Sequence, residues 1–211
     1  MLYLNVPFSE KDEAKALFAK WDARAKKWYA DNPKYYYKYA RWIDGHTVFC
    51  HTVNIAESTT SCWRCKNETK VFAFAVESKN ISDLRENKPT DVEAETGFDL
   101  FIWSIADDIP PQIKKILEND FGCKTKFSKT IQDYYFANTC STCDSLQGDF
   151  FLHSEPESPF GHLSKAEIIL HSIELSQDMP SLLYINQDIS PAIRLLERSK
   201  FIKTSYILGA N

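Results

Sequence analysis

Glycine is scarce, with six residues in 211. There is no GxGxxG fingerprint and no P-loop, so the sequence predicts no Gly-rich backbone cradle for a dinucleotide or nucleoside triphosphate. Apolar runs are short as well: none reaches the roughly 18 residues that a membrane helix requires. The start, "MLYLNVPFSEKDEAK", has neither the basic opening nor the long apolar core of a signal peptide. The expectation is a cytoplasmic chain with no membrane partner. Nucleophile elbow, HExxH and kinase motifs are all missing, so no catalytic residue is assigned and a binding role is favoured over an enzyme. In such a chain six cysteines read as metal ligands or free thiols rather than disulfides.

Aromatic side chains, by contrast, are plentiful: 14 Phe, 10 Tyr and 5 Trp. With 44% hydrophobic and 26% charged residues, the chain has the composition of a globular protein with a sizeable core. Its length suits one ordinary domain, or a small module joined to a larger one. Charge is uneven. Residues 1–43 hold nine Lys/Arg and five Asp/Glu, a net +4, which leaves −8 for the rest of a chain whose total is −4. A basic head on an acidic body points toward nucleic-acid contact by the head; a solvated helix face is the alternative.

The head reads as a β-α-β unit. "YLNVPF" is a short strand, Ser9 and Asp12 stand in capping-box positions, and Ala14, Leu17, Phe18 and Trp21 share a helical face. Lys26–Tyr29 reads as the return strand. "DNPKYYYKYARW" then interleaves tyrosines with bases. Lys26, Lys27, Lys34, Tyr35, Tyr36, Tyr37, Lys38 and Arg41 could stack on and neutralise a single strand of nucleic acid. A loop or strand whose rings pack on the body is the competing reading.

The stretch from Tyr3 to Tyr29 resembles a short uncharacterised domain appended to conjugative DNA primases and other plasmid-borne DNA-processing proteins. Leu4, Asn5, Val6, Pro7, Phe8, Ala14, Lys15, Leu17, Trp21, Asp22, Lys27, Trp28 and Tyr29 carry the likeness. Phe18 stands where that domain usually has glycine. The resemblance implies a DNA-processing context and no particular activity.

Beyond residue 43 the sequence predicts strands in "HTVFCHTVNI", "TKVFAFAV", "DYYFANT", "GDFFLH", "SLLYIN" and "TSYIL". "FDLFIWSIAD" is ambiguous between strand and short helix. Helices are expected in "DIPPQIKKILENDFG", in "LSKAEIILHSIEL" from its Ser164/Glu167 capping box, and in "SPAIRLLERS" after Ser190 and Pro191. Residues 77–97 read as an irregular surface segment.

Two Cys-x-x-Cys pairs stand out, "CWRC" at Cys62 and Cys65 and "CSTC" at Cys140 and Cys143. Each tight turn sets two sulfurs on one side, and two facing turns would complete the tetrahedral thiolate shell of a structural zinc. The usual ribbon separates its pairs by about 15–20 residues; here 74 intervene. Loop-closure cost rises only with the logarithm of length, so the separation does not forbid a shared ion. A redox pair would want a helix after Cys62, where a β-rich run stands instead. Free structural thiols are the other alternative. His46, His51 and His153 lie near the pairs and could substitute as ligands. Cys50 and Cys123 read as buried thiols. The pattern Cys62, Trp63, Arg64, Cys65, Lys66, Glu68, Thr69 and then Cys140, Cys143, Gln147 to Leu152 is similar to a family of bacterial proteins without an assigned reaction, which implies that both pairs belong to one unit. His153, Glu155, Glu157 and His162 form an acid–base cluster only if they line a pocket; a surface loop is the alternative.

The expectation is therefore an α+β protein: a small basic β-α-β module over residues 1–43, then a mixed body over 44–211 built around a split zinc ribbon. It would be a zinc-binding protein associated with single-stranded nucleic acid or a DNA-processing partner. The alternatives are a protein-interaction or regulatory factor with purely structural zinc, and an enzyme using the His/Glu loop.

Overall fold

The computed structural model describes residues 1–155, 157–161, 163–185 and 194–209. The head begins with strand β1 (Leu2–Leu4). A 3-10 turn over Phe8–Glu10 leads into helix α1 (Lys11–Ala16), then strands β2 (Lys20–Asp22) and β3 (Lys27–Ala30). The sheet is antiparallel in the order β1-β3-β2, one hairpin strand more than the expected β-α-β. Ser9 lies inside the 3-10 turn, and no side chain caps α1.

The short helix ends in a double closure. Ala19 N–H donates to Ala14 C=O and Phe18 N–H to Lys15 C=O, each at 3.0 Å. That is a Schellman motif, whose turning residue favours glycine because it is left-handed. Phe18 occupies it at φ 70°, and its side chain is 85% exposed. The glycine usual in the resembling domain thus has a backbone reason. Phe18→Gly removes the Cβ clash, gives up little packing and makes the unfolded chain more flexible. A net stabilisation of about 0.5–1 kcal/mol is expected. Denaturant midpoints would register it, and an unchanged or lower midpoint would contradict the strain.

Residues Pro33–Trp42 form a ten-residue 3-10 helix rather than a loop or strand. Asn32 caps it by accepting from Lys34 N–H at 3.1 Å, and Pro33 opens it. Its period of three aligns Tyr36, Tyr39 and Trp42 on one buried stripe. That aromatic stripe offsets the poor hydrogen-bond geometry of so long a 3-10 run. Tyr36 is wholly buried, and its hydroxyl donates to Asp178, itself 3% exposed. Asp178 also accepts from His51 N–H, and its own N–H donates to Met1 C=O. The core of the head includes Val48, Cys50 and Leu84 from beyond residue 43.

The body follows with β4 (Thr47–Phe49), β5 (Thr52–Ser61), β6 (Glu68–Glu77) and β7 (Ile81–Asp83). Then come α2 (Val92–Thr96), β8 (Leu100–Trp103), α3 (Pro111–Asp120), β9 (Lys124–Ser128), β10 (Asp133–Thr139) and β11 (Leu146–Gln147). The chain closes through β12 (Ile168–Leu175), β13 (Met179–Ser181) and β14 (Ser199–Leu208). A five-stranded sheet runs β14-β12-β5-β6-β8, with only the β12–β14 pair parallel. Val53, Ile55, Phe74, Leu170 and Ile173 from it pack with Ile113 and Leu117 of α3 in the main core. The result is a mixed α+β architecture with several small sheets.

Several expectations require correction. Residues 77–97 hold β7 and α2, because Asp83 is buried against Arg85 and Asp91 caps α2 on Ala94 N–H. "GDFFLH" is not a strand: Phe150–Ser154 is a π-helical turn in which Phe150 and Phe151 are exposed and only Leu152 is buried. "LSKAEIILHSIEL" is not a helix: Ile168–Leu175 of it is strand β12, and Ser164 makes a local turn by accepting from Ala166 N–H. Of "SLLYIN", Ser181 ends β13, residues 182–185 belong to no strand, and Asn186 lies outside the described residues. The helix start at Ser190 and Pro191 lies outside the described residues, after which Leu196–Arg198 is a 3-10 turn. No helix among the described residues is long and apolar enough to cross a membrane.

Candidate metal centre

Each Cys-x-x-Cys pair occupies the turn of a β-hairpin, 62–67 between β5 and β6 and 140–145 between β10 and β11. The two turns are built alike. In the first, Cys62 N–H donates to Asn67 C=O and Lys66 N–H to Cys62 C=O, both at 2.9 Å. In the second, Cys140 N–H donates to Ser145 C=O and Asp144 N–H to Cys140 C=O, also at 2.9 Å. The residue after each second cysteine is left-handed, Lys66 at φ 64° and Asp144 at φ 56°. This reversal points both sulfurs of a pair to the same side.

Across 74 residues of sequence the two turns face each other. Cys62 Sγ lies 3.7 Å from Cys143 Sγ, and Cys65 Sγ lies 3.7 Å from Cys140 Sγ. All four sulfurs lie within 4.8 Å of one another. A tetrahedron of Zn–S bonds near 2.3 Å has sulfur–sulfur edges of about 3.8 Å. A disulfide would need about 2.05 Å, and all six cysteines are free. The cluster is thus a zinc-ribbon-like element whose dimensions suit a metal such as zinc.

The surroundings favour thiolates. Gln147 Nε2 donates to Cys62 Sγ at 3.4 Å, and Thr142 N–H donates to Cys140 Sγ at 3.4 Å. Burial opposes ionisation of Cys62, but the N–H groups of Cys65 and Arg64 and the Ser145 hydroxyl outweigh it and lower its thiol to about 5. The Cys143 N–H chiefly lowers Cys140. Cys65 goes the other way, to about 11: the Asn67 N–H favours its thiolate, while burial and the three neighbouring sulfurs oppose it. Sulfurs so close cannot all carry charge without a cation among them. The donor set therefore fits a closed, four-thiolate structural ion, with no position left for a water.

Two contacts missed by sequence reasoning hold the hairpins together. Asn138, 1% exposed on β10, accepts Phe72 N–H at 2.7 Å and donates to Phe72 C=O at 2.8 Å. It pairs with β6 as a backbone strand would, beyond the stretch where β8 covers that edge. Thr69 Oγ1 accepts from Ser141 N–H at 3.1 Å. A lone Asn or Thr in a strand carries no such signal in the sequence.

Other candidate residues fall elsewhere. His46 stacks on Tyr184 and bonds its hydroxyl at 2.8 Å. His51 is exposed in a left-handed turn. His153 stacks on Phe160, and burial lowers it to about 4. No histidine joins the sulfur cluster among the described residues. Glu155 and Glu157 are exposed, and His162 lies outside the described residues. Cys50 and Cys123 are buried thiols, Cys123 pushed up to about 12 by burial alone. A groove of about 780 Å³ opens beside the second turn, but Glu57, Lys70 and His171 line it, not His153, Glu155 or Glu157. Glu57 is salt-bridged to Lys70 at 2.6 Å and bonded to His171 at 2.8 Å. Burial opposes its charge, and these two partners keep its carboxyl below the usual range.

On the head, Lys26, Lys27, Lys34, Tyr35 and Lys38 are exposed and Tyr37 is half-buried. Lys38 Nζ lies 4.9 Å from the Tyr35 ring centroid and Lys34 Nζ 6.0 Å. Tyr36 points into the core instead, so the three neighbouring tyrosines, Tyr35 to Tyr37, do not form one surface. Arg41 is engaged by Glu10 at 2.6 Å and Glu13 at 2.8 Å.

Residues 1–44 match the model of a family described as "Domain of unknown function (DUF5710)". Two curated relatives, both DNA primase TraC of Escherichia coli, are 44% identical over 43 residues and 52% identical over 42 residues. The matches cover 20% and 18% of this chain but only 3% and 4% of the primases. No solved structure matches.

Proposed function

We propose that this chain is a zinc-stabilised binding module that holds single-stranded nucleic acid in a DNA-processing setting. The observation that carries the reading is the exposed Tyr35 ring flanked by Lys34 and Lys38 on a head of net charge +4. An aromatic face with adjacent lysines suits a base and its phosphates. The likeness of the head to part of a DNA primase agrees with this setting. The zinc is structural, held by Cys62, Cys65, Cys140 and Cys143, and takes no part in contact with the strand.

A labelled oligonucleotide titrated with the full chain at low salt tests the reading. If Lys26, Lys27, Lys34 and Lys38 each neutralise one phosphate, log K falls against log salt with a slope of about −3. No binding at low salt would overturn the proposal. The acidic remainder, −8 over residues 44–211, favours a second reading in which the body docks a protein partner. Retention of a defined protein partner by nuclease-treated chain, with no oligonucleotide binding, would select it.

A further inference from the structure

The head carries a second aromatic–basic surface, on the side of its sheet that faces away from Ala14 and Tyr36. Strand register establishes it. Tyr3 lies opposite Tyr29, Lys20 opposite Tyr29, and Asp22 opposite Lys27. Directly opposed residues of an antiparallel pair project to the same side, and neighbours along a strand to opposite sides. Tyr3, Tyr29, Lys20, Lys27 and Asp22 therefore share one face. Leu2, Leu4, Trp28 and Ala30 share the other, where they pack with Ala14 and Tyr36.

Tyr3 and Tyr29 on this face are half-buried. Neither Tyr3 nor Tyr29 belongs to either hydrophobic core. Their ring centroids are 6.4 Å apart with an interplanar angle of 78°. The Tyr3 hydroxyl donates to Asp22 at 2.7 Å, which fixes that half-buried ring. Lys27 Nζ lies 5.8 Å from the Tyr3 ring centroid. Lys20 and Lys27 are exposed on the face, with Lys20 paired to Asp31 at 2.5 Å, and Arg24 and Lys26 are exposed in the hairpin turn beside it. Within 20–31 that makes four basic groups against two carboxylates, Asp22 and Asp31.

We propose that this face, with Tyr3 and Tyr29 as stacking rings and Lys27 as a phosphate contact, is a stacking platform that works beside the Tyr35 surface when the head binds single-stranded nucleic acid. The inference rests on the reading given under the proposed function and deepens it. Sheet-borne aromatic rings stack unpaired bases whatever their sequence, because every base has a π-face. Lys27 at the rim meets a phosphate that follows the bases. A duplex, whose bases are already stacked, would gain only the electrostatic part.

Fluorescence anisotropy of a labelled oligo-dT of about 20 nucleotides, titrated with the full chain, tests the assignment. Stacking of two bases predicts that the Tyr3→Leu/Tyr29→Leu double variant binds roughly 30-fold or more weakly. Leucine keeps apolar bulk in the strands, and circular dichroism checks that the variant is folded. Its salt slope should stay as in wild type, whereas Lys27→Ala should reduce the slope by about 0.7. Tyr29→Phe, which keeps the π-face, should bind as wild type does. Wild-type affinity in a folded double variant would overturn the platform while leaving the nucleic-acid reading intact. Absence of binding by the wild type overturns that reading and the platform with it.

Discussion

Cys62→Ser is expected to lower the melting temperature by roughly 8–16 °C. The estimate follows from linkage. A ligand that binds only the folded state, at 1,000 times its dissociation constant, contributes about 4 kcal/mol. For a chain of about 200 residues each kcal/mol moves the midpoint by about 2–4 °C. Structural zinc in small modules binds tightly enough to reach that regime at trace concentrations. Cys140→Ser should match Cys62→Ser, because either change opens the same shell. The double variant should be little worse than either single one, as expected for residues that act as a unit. A strong chelator should bring wild type to the same midpoint. Free thiols would behave otherwise: each serine would cost only its own local packing, and the chelator would change nothing.

Asn138→Ala is expected to cost about 2–6 kcal/mol. Asn138 satisfies both Phe72 N–H and Phe72 C=O, and Phe72 is 6% exposed. Truncation leaves a buried donor and a buried acceptor without partners, at about 1–3 kcal/mol each. Asn138→Asp should not rescue, since an acid in that place turns an acceptor toward the Phe72 carbonyl. Urea unfolding of metal-loaded protein gives the size of the effect. A cost under 1 kcal/mol would mean that the metal alone holds the two hairpins in register.

The four-cysteine cluster was legible in the sequence because tight turns have strong local chemistry. Two cysteines three apart fix a sulfur pair wherever the turn is placed, so only the facing of the pairs required the fold. The strands β6 and β10 that flank them were legible for the same local reason, their β-branched and aromatic composition. The helix expected at Ser164 failed because a capping-box spelling carries no information about the strand partners that claim Ile168–Leu175. The 3-10 helix over Pro33–Trp42 was missed although its signal was present. An Asn-Pro start and aromatic residues at 36, 39 and 42 repeat every three positions, a period that fits neither strand nor α-helix. Reading "KYYYKY" as one aromatic run hid that Tyr36 faces inward while Tyr35 faces water. Asn138 and the Tyr3–Tyr29 face were out of reach for a different reason: both depend on which residues lie opposite across strands, and register is a tertiary quantity.

The central claim is that two distant Cys-x-x-Cys turns share one ion. X-ray absorption at the zinc edge, together with elemental analysis of purified full-length chain, tests it most directly. The account predicts one zinc per chain with four sulfur neighbours at about 2.3 Å, and loss of that zinc in Cys62→Ser and in Cys140→Ser alike. A folded, metal-free protein would contradict it, as would a zinc that survives loss of either turn.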